Sequence, residues 1–248
     1  MRQETHRRAT ALLLAGLVLP VSLPADDQAG NRPKSRPDVG GTLTLTTDYV
    51  FRGVSQTLGK PAIQLDVGFE WPSGWYAYAW ASTVDFVAAG YPEDGADVEL
   101  NTAVGFAVPF FDRWAADVVV VDYRYPGTVQ GADYDYVEII ASVWLDERVG
   151  ATVGYSSNVC GTGREAWVYE LGTQLELPGK LDIAAGAGWY DLSASAGGGY
   201  GYTALALSRT FERATVSLIC NYTSSSARDL FSAELTGRRL VAALSISF

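Results

Sequence analysis

Charged side chains recur at alternating positions along the sequence, and they are the residues whose chemistry matters most. Our candidate pore-lining residues are ten carboxylates and two arginines: Asp48, Arg52, Asp66, Glu70, Asp85, Asp97, Glu99, Asp122, Arg124, Glu138, Glu170 and Glu176. Side chains of one sign around an aqueous path favour ions of the other sign. The set therefore predicts an acidic, cation-favouring interior. The alternative is an internal ion-pair network, in which Arg52 and Arg124 bridge carboxylates and fill a narrow lumen.

Catalytic chemistry is the weaker interpretation of these residues. Hydrolysis by a Ser–His pair needs a histidine as general base, and the one histidine, His6, lies in a segment that we expect to be removed. The carboxylates include no singled-out acid–base pair. Cys160 and Cys220 lie too far apart in the sequence for metal-ligand spacing, and whether they form a disulfide stays open. We expect no catalytic residue, no metal and no cofactor.

The elements that carry these charges have the period-two pattern of β-strands. It is clearest in residues 240–248, where apolar Leu240, Ala242, Leu244, Ile246 and Phe248 alternate with Val241, Ala243, Ser245 and Ser247. An exposed apolar strand edge would promote aggregation in water. Closure into a barrel whose outer face meets lipid removes that problem.

The same alternation divides residues 41–248 into about twelve strands, joined in turn by longer loops and short turns. This predicts an all-β fold: a transmembrane antiparallel up-and-down β-barrel with short turns and both termini on the periplasmic side. Aromatic residues should form two bands at the membrane interfaces. The band beside the short turns comprises Trp71, Trp75, Phe106, Trp114, Trp144 and Phe248. The band near the longer loops comprises Tyr49, Phe51, Phe86, Tyr123, Tyr125, Tyr155, Trp189 and Tyr222. A soluble up-and-down barrel, with larger apolar residues inside, is the alternative.

The first 40 residues indicate export. Arg2, Arg7 and Arg8 precede a short apolar core, and small residues up to Ala25 offer a cleavage site, as in a Sec-type signal peptide. The core is shorter than the roughly 20 residues of a membrane-spanning helix. We therefore predict a signal peptide at 1–25, a flexible periplasmic tail at 26–40 and a barrel at 41–248 in the outer membrane of a Gram-negative bacterium. The formal net charge of −10 argues against nucleic acid as a partner.

Two sequence segments resemble a known family. Residues 48–57, DYVFRGVSQT, followed by PAIQ at 61–64, resemble the start of the TorF-type family of outer-membrane porins. The resemblance implies an outer-membrane barrel but says little about a substrate. A terminal Phe such as Phe248 is similar to the signal that the barrel-insertion machinery recognises. The partners we expect are outer-membrane lipid, that machinery, and small solutes or cations.

The width of the interior decides between two functions. Gly68, Ala77, Ala79, Ala81 and Gly105 are assigned to the inner face, where small side chains leave space. That assignment predicts a narrow pore for passive, cation-preferring diffusion. A closed or plugged barrel that serves structure or interaction is the alternative, because twelve strands lie between small filled barrels and wide porins. The sequence does not show whether a loop folds inward.

Overall fold

The computed structural model describes residues 37–86, 96–128 and 133–248, and almost all of this chain is β-structure. The strands are β1 (Asp38–Thr46), β2 (Val50–Phe51), β3 (Val54–Ser55), β4 (Ala62–Glu70), β5 (Trp75–Thr83), β6 (Val98–Phe110), β7 (Trp114–Arg124), β8 (Tyr136–Leu145), β9 (Val149–Ser156), β10 (Ala166–Leu177), β11 (Leu181–Leu192), β12 (Gly198–Phe211), β13 (Ala214–Thr223) and β14 (Arg238–Ser247). One helical turn, α1 (Ser193–Ala196), and two 3-10 turns, Val159–Gly161 and Ser225–Asp229, lie in the longer loops. Within these residues no helix is long and apolar enough to cross a membrane.

Twelve of the strands form one closed antiparallel barrel, and β2 and β3 form a separate two-stranded hairpin. Each barrel strand pairs with its neighbour in the sequence, and β1 pairs with both β4 and β14. Backbone hydrogen bonds join Gly41 N to Phe248 O at 3.2 Å and Phe248 N to Gly41 O at 3.0 Å, which complete the closure. The predicted fold and strand number are confirmed. We call the two ends of the barrel the loop end and the short-turn end.

Successive side chains alternate between the outer surface and the lumen, as strand geometry requires. Outward positions of β1, β4 and β14 carry large apolar side chains, and Leu65 is 42% exposed. Inward positions carry polar, aromatic and some aliphatic side chains, among them Val119, Val121 and Ile140. A barrel with this many exposed Leu, Val and Ile side chains has an outer surface suited to lipid.

The predicted segment boundaries differ slightly from the structure. β1 begins at Asp38, so residues 38–40 belong to the barrel and not to the tail predicted at 26–40. The predicted signal peptide at 1–25 and the rest of that tail up to residue 36 lie outside the described residues. So do the whole of the predicted loop at 88–95 and residues 129–132. Cys160 and Cys220 are both free and exposed, so they form no disulfide.

The side chains of β5 point to the opposite faces of the barrel wall from those predicted. Tyr76, Tyr78 and Trp80 point into the lumen, where Tyr76 pairs in register with Gly105 and donates a hydrogen bond to Asp117 at 2.8 Å. Ala77, Ala79 and Ala81 therefore point outward. Tyr76 faces inward because its phenol group finds a hydrogen-bond acceptor there, and Trp80 packs against the Tyr49 ring with centroids 5.3 Å apart. The space predicted over Gly105 is filled, since a Cβ at that glycine would lie 2.2 Å from the Tyr76 ring.

The aromatic bands are present only in part. Trp75 and Trp114 near the short turns, and Trp189 and Tyr222 near the loops, are exposed on the outer surface. Others of the predicted bands are buried inside the barrel: Tyr49, Tyr123, Tyr125 and Trp144. The burial of the three tyrosines reflects a lumen that is packed with rings toward the loop end, whereas Trp144 lies beside the short turn at residues 146–148 and packs over Gly150.

Candidate functional site

The first long loop, residues 47–61, folds into the lumen and does not extend away from the barrel. Its β2–β3 hairpin buries Val50, Val54 and Ser55. The turn at Arg52 and Gly53 has positive φ at both residues, 48° and 80°, as tight two-residue hairpins require. A Cβ at Gly53 would lie 2.6 Å from the Thr223 side chain, so the turn reaches the wall formed by β12 and β13. The hairpin thus crosses the loop-end half of the lumen.

Asp48 holds the base of this hairpin. Its carboxylate accepts hydrogen bonds from the hydroxyls of Ser55 at 2.6 Å and Thr57 at 2.9 Å. It also forms an ion pair with Arg239 of β14 at 2.8 Å. The Ser55 backbone N–H donates to the Leu235 carbonyl at 3.0 Å, which ties the hairpin to the last loop. These contacts fix the base to the strand that closes the barrel.

Arg52 anchors the tip. Its Nη2 donates to both carboxylate oxygens of Glu138 on β8, at 2.9 and 2.8 Å, and the two side chains are only 3% and 2% exposed. The guanidinium carbon lies 4.6 Å from the ring centroids of both Phe51 and Tyr190. This is a buried ion pair with two cation–π contacts. Arg52 Nε and Nη1 are buried without a hydrogen-bond partner in the described chain.

Tyrosines fill the rest of the loop-end half and donate hydrogen bonds to three of its carboxylates. Tyr123 donates to Glu138 at 3.2 Å, and Tyr49 donates to Glu99 at 3.3 Å. Tyr202 donates to Glu170. The Tyr123 and Tyr136 rings stack with centroids 4.4 Å apart. Because the rings and the hairpin are buried against one another, this half is a packed core and not an open channel.

The short-turn half of the lumen has a different lining. Its inward strand positions carry small residues such as Ala184 and Ser217, the rings of Tyr76 and Trp144, and six carboxylates: Asp38, Asp66, Glu70, Asp117, Glu176 and Asp182. Among the described residues, no lysine or arginine occupies an inward strand position of this half. We call this region the acidic vestibule.

Two cross-strand pairs concentrate charge at the rim of the acidic vestibule. Glu176 lies directly opposite Asp182 in the β10–β11 ladder, and Asp38 lies opposite Glu70 in the β1–β4 ladder. Like charges in this position repel one another. Cations near the rim would relieve that repulsion.

The twelve predicted pore-lining residues fall into four groups. Six face the lumen from the wall: Asp66, Glu70, Glu99, Glu138, Glu170 and Glu176. Asp48 and Arg52 reach it from the inward-folded loop. Asp85 lies after β5 and pairs with Lys60, and Asp97 is exposed just before β6, so both lie at the loop end. Of the predicted ion-pair network, the described residues contain the Arg52–Glu138 pair inside the lumen.

The lumen assignment of Asp122 and Arg124 is wrong. Asp122 pairs in register with Thr102, and Arg124 with Leu100, on the outer face of β6. Arg124 forms exposed ion pairs with Asp122 at 2.9 Å and Asp135 at 3.0 Å. The opposite row of β7, which includes Asp117 and Tyr123, faces inward. Both rows of β7 contain valines, so apolar character alone could not separate them.

Several functional residues were not identified from the sequence. Asp117 shares its row with Val119, Val121 and Tyr123, and a carboxylate in an otherwise apolar and aromatic row was the signal that could have identified it. Asp182 alternates with outward apolar residues of β11, and Arg239 shares its row with Val241 of β14. No local pattern indicates that the hairpin turns inward.

Comparisons with known proteins agree with this architecture. The model of a bacterial family of unknown function, Gcw_chp, matches residues 30–242. The TorF-type resemblance is not confirmed and stays a prediction. None of the curated proteins matches the sequence.

Solved porin structures share the fold. The NanC porin has 10% sequence identity and a TM-score of 0.56, over 85% of this chain and 99% of that chain. The KdgM porin has 5% identity and a TM-score of 0.54, over 84% of this chain and 99% of that chain. At such identities the likeness shows the barrel fold alone.

Proposed function

The chain belongs to the Gcw_chp family of bacterial proteins of unknown function, and we propose that it is a porin-like channel of the outer membrane, closed at rest. In this proposal the hairpin is the constriction, and the acidic vestibule makes the path prefer cations. No catalytic chemistry is proposed. The barrel would assemble among outer-membrane lipids through the insertion machinery, with β14 as its recognition strand.

Support for the membrane location comes from the outer surface. Leu, Val and Ile side chains are exposed at outward positions around the barrel, and Trp75 and Trp114 near one end are matched by Trp189 and Tyr222 near the other. This arrangement is typical of transmembrane barrels. The fold shared with solved porins is in line with it.

Support for cation preference comes from the charge of the vestibule. Six carboxylates face a lumen half that has no inward base among the described strand positions. A low-dielectric wall focuses the field of such charges and raises the local cation concentration. Passage would be passive, because electrostatic filtering needs neither chemistry nor an energy source.

The proposal that the hairpin gates the channel depends on one observation, the Arg52–Glu138 ion pair at the hairpin tip. A path through the barrel must pass the hairpin that this pair holds. Replacement of Glu138 by Gln would leave Arg52 buried without a counter-charge, which is strongly unfavourable. We therefore expect Glu138→Gln to release the tip from the lumen.

Planar-bilayer recordings under a KCl gradient test the proposal. We expect the wild type to open rarely, with a reversal potential of cation-selective sign, and Glu138→Gln to open more often. Replacement of Asp66, Glu70, Glu176 and Asp182 by their amides should move the reversal potential toward zero. The selectivity should also weaken at high salt, because the Debye length falls from about 10 Å at 0.1 M to about 3 Å at 1 M. Anion selectivity would refute the charge part of the proposal.

A closed barrel without transport is the second candidate, and the buried hairpin is the observation that favours it. If both the wild type and Glu138→Gln insert into bilayers but carry no current, the closed barrel replaces the channel.

A further inference from the structure

The Arg52 guanidinium occupies a site whose walls belong to other elements. Glu138 of β8 supplies two carboxylate oxygens, and Tyr190 of β11 supplies a ring face at 4.6 Å. The Tyr123 hydroxyl donates to the same carboxylate at 3.2 Å. If the hairpin moved away, these wall residues would leave a buried carboxylate beside an aromatic face.

Arg52 fits this site imperfectly. Its Nε and Nη1 are buried with no hydrogen-bond partner in the described chain. Its backbone has φ of 48°, in the left-handed region that is unfavourable for a residue with a Cβ. A buried ion pair with unsatisfied donors adds little net stability, because desolvation offsets the attraction. A competing cation therefore needs only moderate affinity to displace the arginine.

We propose that Glu138, Tyr190 and Tyr123 form a binding site for a solute with a guanidinium or similar planar organic cation, which Arg52 occupies as an internal substitute. A solute that binds there displaces the hairpin tip and opens the constriction. The inference rests on the proposed channel for its route of entry, which is the acidic vestibule. The binding site itself does not depend on conduction.

The chemistry of the walls favours a planar organic cation over a metal ion. A guanidinium group is weakly hydrated, stacks on aromatic rings and pairs with both oxygens of a carboxylate. A small metal ion keeps its water more tightly and needs several ligands. The described residues contain no cluster of three or more His, Cys, Asp and Glu side chains placed to hold one. Anions would be repelled by Glu138 and by the vestibule.

The first test uses Arg52→Ala protein refolded in detergent micelles. Guanidinium chloride at low millimolar concentration should raise its thermal unfolding midpoint, in proportion to the logarithm of concentration, whereas equal sodium chloride should not. The double variant Arg52→Ala/Glu138→Gln should lose the response. Arg52→Ala/Asp117→Asn is the matched control, because Asp117 is another inward carboxylate with a tyrosine partner, and it should keep the response. An equal response to sodium, or one independent of Glu138, would overturn the proposal.

The second test uses the unmodified protein, so it does not require that Arg52→Ala folds. In planar bilayers, guanidinium should raise the opening frequency more than sodium at the same ionic strength. If the protein conducts but guanidinium and sodium give the same opening frequency, the binding-site proposal is wrong and the channel proposal stands. If guanidinium binds to Arg52→Ala but no cation gives a current, the channel proposal is wrong and the binding-site proposal stands.

Discussion

Asp48 joins three parts of the molecule through one carboxylate. It binds Ser55 and Thr57 of the inward loop and Arg239 of β14. The hairpin therefore has two anchors, one at the base through Asp48 and one at the tip through Arg52. Loss of either anchor should loosen a different part of the constriction.

Replacement of Asp48 by Ala should release the hairpin base. Removal of one partner of a buried pair costs about 3–5 kcal/mol, because Arg239 would keep a poorly compensated charge. We expect faster trypsin cleavage after Arg52, which the wild type protects by burial, as measured by mass spectrometry of the fragments. Asp97→Ala, at an exposed carboxylate outside the strands, is the control and should leave the cleavage rate unchanged. Equal cleavage rates in Asp48→Ala and the wild type would contradict the role of Asp48.

The sequence predicts part of the candidate site and misses the rest for physical reasons. Glu99, Glu138 and Glu170 alternate with apolar residues, so local strand geometry is enough to place them inside. The position of Arg52 depends on a partner 86 residues away in the sequence, and no local pattern encodes that contact. Its burial follows from tertiary structure.

At the scale of single strands, the sequence is informative where only one face is apolar. β1, β4 and β14 satisfy this condition, and their facing matches the prediction. β5 and β7 are apolar or aromatic on both faces, so hydrophobicity does not show which face of each strand points outward. The choice depends on the neighbouring strand: Tyr76 must face the same side as Asp117 to donate its hydrogen bond.

Arginine scanning of β5 tests this facing directly. Ala79→Arg would place a charge in the membrane, which costs about 2–4 kcal/mol near the midplane. The free energy of unfolding in lipid vesicles should fall accordingly. Gln64→Arg on the adjacent strand replaces a long polar side chain that already faces the lumen, and it should cost much less. Similar losses in the two variants would show that Ala79 does not face lipid.

For the whole molecule, the strand number and closure were predictable because strand alternation and loop lengths repeat along the chain. The filling of the lumen was not, since it depends on contacts between opposite walls. Closure itself depends on a close approach at the seam between β1 and β14. A Cβ at Gly41 would lie 2.6 Å from both the Phe248 ring and the Asp66 carbonyl oxygen.

Gly41→Ala should therefore weaken closure. The added methyl group would collide with backbone on one side and with Phe248 on the other. We expect a lower folded fraction after refolding, seen as less of the fast-migrating folded form in unheated gel electrophoresis. Gly40→Ala is the matched control, because a Cβ there meets only the Phe248 carbonyl oxygen at 3.8 Å. An equal loss in the control would mean that the Phe248 contact does not limit closure.

The hairpin follows β1 in the sequence, and β1 also pairs with β14 to close the barrel. Because both features depend on the same strand, they imply an order of assembly. The ladders from β4 to β14 join neighbours in sequence and can form early. The hairpin contacts and the seam instead join residues 86 to 201 positions apart, which is slow because long loops must close first. We therefore expect sealing of the wall and filling of the interior to be late, coupled steps.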